Sequence, residues 1–110
     1  MTQQATWLAL CSLTSLLPGQ GRSARIGERQ LAVFLLGERV YVLDDRDPAS
    51  GVTLLSRGIL GDIGGEPVVA SPLYKQRYAL MDGRCLDDPA LRVTCWPVRL
   101  EGGAVWVQLG

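Results

Sequence analysis

Apolar residues in this chain come in short runs broken by glycine, proline and aspartate, and no segment sustains a 3.6-residue period, so the pattern predicts strands and no long helix. Trp7-Leu8-Ala9-Leu10-Cys11 predicts an edge strand that ends at Ser12 and gives way to a loop reaching the turn signal Pro18-Gly19. Gln30 to Leu36 and Val40 to Leu43 are separated by Gly37-Glu38, which predicts a tight hairpin whose strands enter the core. Near the end, Trp96-Pro97-Val98-Arg99-Leu100 and Ala104 to Leu109 flank Glu101-Gly102-Gly103. The paired glycines supply the positive φ angles of a tight turn, making this the strongest hairpin signal in the chain.

The middle of the chain is punctuated differently. Glycines at 51, 58, 61, 64 and 65 exclude a long helix and predict a folded loop with strand pieces at Thr53 to Leu55 and Gly58 to Leu60. Pro67 to Ala70 predicts a strand, and Tyr78-Ala79-Leu80 runs toward Asp82-Gly83, a second hairpin signal, before Cys85-Leu86 and the stop Asp87-Asp88-Pro89. About nine short strands result, so the expected fold is all-β, a barrel-like sandwich in one domain, with residues 45–88 inserted at one end. The spacing Gly19-x-Gly21-x-x-Ala24 imitates a dinucleotide fingerprint, yet Arg25 to Arg29 offers no amphipathic helix to follow it. It reads as a turn joining two strands.

Composition narrows the function. The 110 residues carry 11 basic and 11 acidic side chains spread along the sequence, so no electrostatic footprint for nucleic acid or an anionic membrane is expected. Partners should then be met through shape and apolar contact. The start lacks the positive and apolar regions of a signal peptide, and no run approaches the roughly 20 apolar residues of a membrane span, which predicts a cytoplasmic protein. Cys11, Cys85 and Cys95 form no CxxC pair and are expected as reduced, mostly buried thiols. With no histidine in the chain, a cysteine nucleophile has no base to serve it. Asp44, Asp45 and Asp47 lack a glutamate at EF-hand spacing and meet Pro48, so they read as turn-forming residues.

The stretch Asp44 to Asp88 carries a further pattern. Asp47-Pro48-x-x-Gly51 and, 24 residues on, Ser71-Pro72-x-Tyr74 resemble the ligand loops of Rieske-type iron–sulfur domains, Cys-Pro-His-x-Gly and Cys-Pro-x-His. The resemblance sets Asp47 and Ala49 at the first pair of ligand positions and Ser71 and Tyr74 at the second. Ala49 has no donor atom, three cysteines fall short of four thiolates, and the oxygens of Asp47, Ser71 and Tyr74 suit iron–sulfide chemistry poorly. No cofactor is expected in this chain.

Longer matches extend the likeness. Asp47-Pro48-x-Ser50-Gly51, Leu55-Ser56-Arg57-Gly58-Ile59, Gly61-Asp62, Ala70 to Gln76 and Cys85-Leu86-Asp87-Asp88-Pro89 are together similar to the small subunit of assimilatory NAD(P)H-dependent nitrite reductase. The resemblance implies a Rieske-like fold without cluster ligands. It also implies a partner, a large subunit bearing FAD, sirohaem and a [4Fe-4S] cluster that reduces nitrite to ammonium with electrons from NAD(P)H. Pro48, Pro72, Leu73 and Tyr74 would then gather at a docking tip, with Arg57, Lys75 and Arg77 adding positive charge. The competing expectation is that Leu73, Tyr74 and Tyr78 pack the two loops together in place of a metal. Two other readings stand beside the first: a degenerate ferredoxin of a ring-hydroxylating oxygenase, and a general interaction module. A free-standing enzyme lacks support, having neither a histidine base nor a phosphate loop.

Overall fold

The computed structural model describes residues 6–109, which form three antiparallel sheets. In chain order the strands are β1 (Trp7–Ser12), β2 (Gly21–Ile26), β3 (Arg29–Leu36), β4 (Arg39–Asp44), β5 (Ile59–Ile63), β6 (Glu66–Ala70), β7 (Arg77–Ala79), β8 (Cys95–Trp96), β9 (Val98–Glu101) and β10 (Ala104–Gln108). One sheet runs β2-β3-β4-β8, a second β1-β10-β9, and a third β5-β6-β7. The expected all-β fold is present, and β1 lies at a sheet edge as its sequence predicts.

Strand β3 is the middle of the core. Leu31, Ala32, Val33 and Phe34 are all fully buried, because both faces of the strand are covered. Ala32 and Phe34 pack with Leu43, Leu55, Val69 and Tyr78, whereas Leu31 and Val33 pack with Val40, Val42, Val105 and Val107. The period of two therefore assigns alternate side chains to two clusters, each large buried one contributing about 1.5–3 kcal/mol.

Three local expectations are corrected. The segment read as a turn at Gly19 to Ala24 contains most of β2, paired with β3 from Gly21↔Phe34 to Ile26↔Arg29. Only Ala24 and Ile26 of that strand reach the core, and Arg22, Ser23 and Arg25 are exposed, so an edge strand with mostly polar residues showed no apolar signal. The single strand expected at Trp96 to Leu100 is two strands, since Pro97 has no N–H to offer a ladder. Residues before it join β4 and residues after it join β10. The strand piece expected at Thr53 to Leu55 is one bridge, Arg46↔Thr53, followed by a 3-10 turn at Leu55–Arg57.

Asp45 causes that turn. Its carbonyl accepts the N–H groups of Leu54 (2.8 Å) and Leu55 (2.9 Å), and its carboxylate accepts Ser56 N–H (2.6 Å) and Ser56 Oγ–H (3.1 Å). A buried aspartate winds the chain around itself, and an extended path would leave it without donors. Among the described residues no helix is long and apolar enough to cross a membrane.

Candidate functional site

Two loops meet at one end of the β5-β6-β7 sheet. The first leaves β4 and turns tightly at Asp47 to Gly51, where Gly51 N–H reaches the Asp47 carbonyl (2.7 Å) and Asp47 N–H the Val52 carbonyl (2.9 Å). Gly51 takes φ +74, a left-handed angle that favours glycine. The second joins β6 to β7 and is closed by Ser71 N–H to the Gln76 carbonyl (2.8 Å) and Lys75 N–H to the Ser71 carbonyl (2.9 Å). Lys75 adopts φ +62, the one positive φ outside glycine among the described residues.

Asp47 joins the loops. Its carboxylate is fully buried and accepts four hydrogen bonds: Ala49 N–H (3.0 Å) and Tyr78 O–H (2.7 Å) on Oδ1, Ser50 Oγ–H (3.0 Å) and Ser71 Oγ–H (2.6 Å) on Oδ2. The bonds from Ser71 and Tyr78 span 24 and 31 residues, so they tie the first loop to the second and to β7. No arginine or lysine forms an ion pair with Asp47 among the described residues. Burial alone would raise its pKa, but the hydrogen bonds from Ser71, Tyr78, Ala49 and Ser50 outweigh burial and hold it below the ordinary value. At neutral pH the group is a carboxylate held by hydroxyl and amide dipoles. Tyr78, also fully buried, has its hydroxyl pushed well above the ordinary range by burial and then by its bond to Asp47.

The four positions marked by the loop frames thus divide into two kinds. Asp47 and Ser71 point inward and touch each other, whereas Ala49 contributes only its backbone N–H and Tyr74 is 60 % exposed. A [2Fe-2S] cluster of the Rieske kind takes two thiolates on one iron and two imidazoles on the other. These residues do not fit it: the inward pair is a directly hydrogen-bonded carboxylate and hydroxyl, and the other pair has no nitrogen side chain.

Packing of the loops by aromatic and aliphatic side chains is also corrected. Of Leu73, Tyr74 and Tyr78, Tyr78 alone is buried, while Leu73 is 48 % exposed beside the exposed Tyr74. The second loop closes through its own backbone, and both of those side chains stay exposed. The tie between the loops is polar, and its centre is Asp47, a residue that reads in sequence as a turn former at a degenerate ligand position and not as a link to the second loop.

Pro72, Leu73, Tyr74 and Lys75 are exposed together on the second loop. Pro48, half-buried next to Asp47, lines a cleft with Arg46 and Arg92. Arg77 is fixed at the loop's end by Asp87, through Nη2 (2.6 Å), Nε (3.1 Å) and its own N–H (2.8 Å). Arg57 lines clefts on the β2 side, near Ser23 and Arg25.

The neighbouring acidic groups and the cysteines have structural employment. Asp44 accepts Trp96 Nε1–H (2.8 Å), Asp45 holds Ser56 and Asp47 holds the loops, so three neighbouring aspartates serve three separate donor sets. No grouping of three His, Cys, Asp or Glu able to hold a metal occurs among the described residues. All three cysteines are free, Cys85 buried and the others half-buried. Burial, with the nearby Asp82 adding to it, pushes the Cys95 thiol up to about 12, and burial raises Cys11 as well; neither is a thiolate at neutral pH.

Comparison with known proteins places this geometry. Residues 6–108 match the Rieske-like [2Fe-2S] domain. The nitrite reductase (NADH) small subunit of Salmonella typhimurium is 37 % identical over 104 residues, covering 93 % of this chain and 96 % of that protein. A stretch of the nitrite reductase [NAD(P)H] large subunit of Klebsiella oxytoca is 52 % identical over 101 residues, 92 % of this chain but 11 % of that one. The chain spans nearly all of the small subunit and about a tenth of the large one. The solution structure of the Escherichia coli protein NirD superposes with a TM-score of 0.88 at 34 % identity, covering 97 % of this chain and 99 % of NirD. The chain belongs to the Rieske-like [2Fe-2S] domain family and, within it, to the nitrite reductase small subunits.

Proposed function

We propose that this chain is a cofactor-free, non-catalytic subunit of a cytoplasmic assimilatory NAD(P)H-dependent nitrite reductase, the enzyme that takes nitrite to ammonium. Its work is to dock on the large subunit that bears FAD, sirohaem and the [4Fe-4S] cluster. The observation that carries this reading is the Ser71–Asp47–Tyr78 tie, which keeps two ligand-type loops closed without thiolate or imidazole. An electron-carrying role, as in the ferredoxin of a ring-hydroxylating oxygenase, requires donors that Asp47, Ala49, Ser71 and Tyr74 do not supply. The Klebsiella oxytoca relative lends support from another side, because there the matching stretch lies within the large-subunit chain itself. A covalent link of that kind raises the effective concentration of a docking partner without any new contact.

The docking surface is the tip formed by Pro72, Leu73, Tyr74 and Lys75, with Pro48 at its base and Arg77 at its end, and it extends toward Arg57 on the β2 side. Residues 45–88 act as the inserted unit that presents it. Tyrosine and arginine are enriched where interfaces concentrate their energy, and the bidentate Asp87 contact orders Arg77 in advance of binding. Tyr74→Ala and Lys75→Glu alter exposed side chains and should change folding stability by less than about 0.5 kcal/mol. In a titration against the large subunit, Tyr74→Ala should bind about tenfold to thirtyfold more weakly. Normal affinity in both variants would remove the tip from the interface.

A further inference from the structure

Folding redistributes charges that look evenly spread along the sequence. Asp44, Asp45 and Asp47 are engaged internally with Trp96, Ser56 and the two loops. Glu66 and Asp82 pair with Arg84, Asp87 with Arg77 and Glu101 with Arg99. Arg25, Arg29, Arg46, Arg57 and Arg92 are all exposed and form no ion pair among the described residues.

These five arginines line one succession of clefts. A cavity of about 420 Å³ lies between Arg25 and Arg57. It shares Gln30 and Thr53 with a second, of about 230 Å³, bounded by Arg29 and Arg46. The second shares Asp44 and Arg46 with a third, of about 270 Å³, which adds Arg92 and ends at Pro48 on the first loop. Three carboxylates face the succession: Glu28, Asp44 engaged by Trp96, and Asp45 buried against Ser56. Five arginines against three carboxylates leave positive charge in excess over the succession, concentrated at its two ends, since Arg29 and Arg46 in the middle cleft are balanced by Glu28 and Asp44.

We propose that this groove receives an extended acidic segment of the large subunit, a reading that rests on the docking function above. Guanidinium groups match carboxylates in planar, two-pronged geometry, and five of them spaced along a groove suit successive Asp or Glu side chains. The groove ends at Pro48, the base of the docking tip, so one partner spans both surfaces. Single-stranded nucleic acid fits less well: the net charge is zero, no aromatic side chain among the described residues lines the three clefts, and Trp96, which bonds Asp44, is covered by Arg29 at 4.9 Å.

The test uses the Arg25→Glu/Arg57→Glu double variant and the unaltered chain, with two probes: a polyglutamate peptide and the large subunit. The unaltered chain should bind polyglutamate at low ionic strength, and the variant about tenfold or more weakly, at the same melting temperature. Binding of the large subunit should weaken in parallel and lose part of its salt dependence. Equal polyglutamate binding by both proteins, or none by either, overturns the groove. Stronger binding of a single-stranded oligonucleotide than of polyglutamate overturns the acidic occupant. Polyglutamate binding lost in the variant, with no binding of the large subunit by either protein, overturns the docking function and leaves the groove standing as an acidic-peptide site.

Discussion

Asp47→Ala is expected to destabilise the domain by about 3–5 kcal/mol, because the two bonds that cross between loops each end on a charged oxygen and such bonds contribute about 1.5–3 kcal/mol. The substitution also leaves the Tyr78 hydroxyl buried without an acceptor. For a chain of 110 residues this corresponds to a fall in melting temperature on the order of 10–20 °C. Asp47→Asn should cost much less. Its amide oxygen still accepts from Ala49 and Tyr78, and its amide nitrogen can donate to the hydroxyls of Ser50 and Ser71, which turn to accept. Equal losses from alanine and asparagine would show that the negative charge, and not the hydrogen-bonding shape, holds the loops.

The same pair predicts a pH signature in denaturant midpoints. Asp47 has a folded pKa below its ordinary 3.8, so its contribution is present above that value and is lost as pH falls through the folded one. Tyr78 has a folded pKa raised above its ordinary 10.0, so its contribution is full below pH 10 and is lost as pH rises from there. Asp47→Asn should flatten the acid limb and keep the alkaline one, since burial is the first cause of the Tyr78 shift and remains. Asp87, held low by its bonds from Arg77 and largely exposed, leaves a shallow residual acid slope.

Gly83→Ala is the second large effect, about 3–5 kcal/mol or failure to fold. Gly83 is buried at φ +81, where its N–H meets the Ala79 carbonyl (2.8 Å) and its carbonyl accepts Val93 N–H (2.9 Å). A Cβ there would overlap the Val93 carbonyl oxygen and crowd Cys95 Sγ at 3.1 Å. Left-handed strain adds to overpacking against backbone, and the backbone of Val93 cannot yield without breaking its own bond. Gly27→Ala separates the two terms, because Gly27 has φ +59 with nothing within 4 Å of the new methyl. That variant should lose about 1–2 kcal/mol, the conformational cost alone. Similar chemical denaturation midpoints for both variants would refute the steric account of Gly83.

Much of this fold is legible in sequence where burial and turn chemistry leave local marks. The run Leu31 to Phe34 is apolar throughout because both faces of β3 are covered, and glycines at 37, 83, 102 and 103 stand at the turns with positive φ. Strand β2 is silent because its exposed Arg22, Ser23 and Arg25 leave no apolar alternation, and its extended form comes from pairing with β3. The division at Pro97 was legible, since proline cannot serve a ladder within a continuous strand.

The candidate site divides along the same line. Loop positions follow from the Asp-Pro and Ser-Pro frames, as does the poor donor set for a cluster. The tie itself is a contact among residues 24 and 31 positions apart, which no local period encodes. Its one trace is an aspartate and a serine standing together at paired ligand positions, two side chains able to bond each other once metal is lost. The arginine groove left no trace, because neutral composition conceals which carboxylates are already engaged.

The central claim is that Asp47 does by hydrogen bonding what an iron–sulfur cluster does in other members of this fold. Its most direct test is the metal content of the folded chain produced with iron and sulfide in excess. The purified protein should be colourless, hold iron well below one atom per chain, and melt at the same temperature after treatment with a chelator. A brown protein with stoichiometric iron, and a melting temperature that falls when the iron is removed, would contradict it.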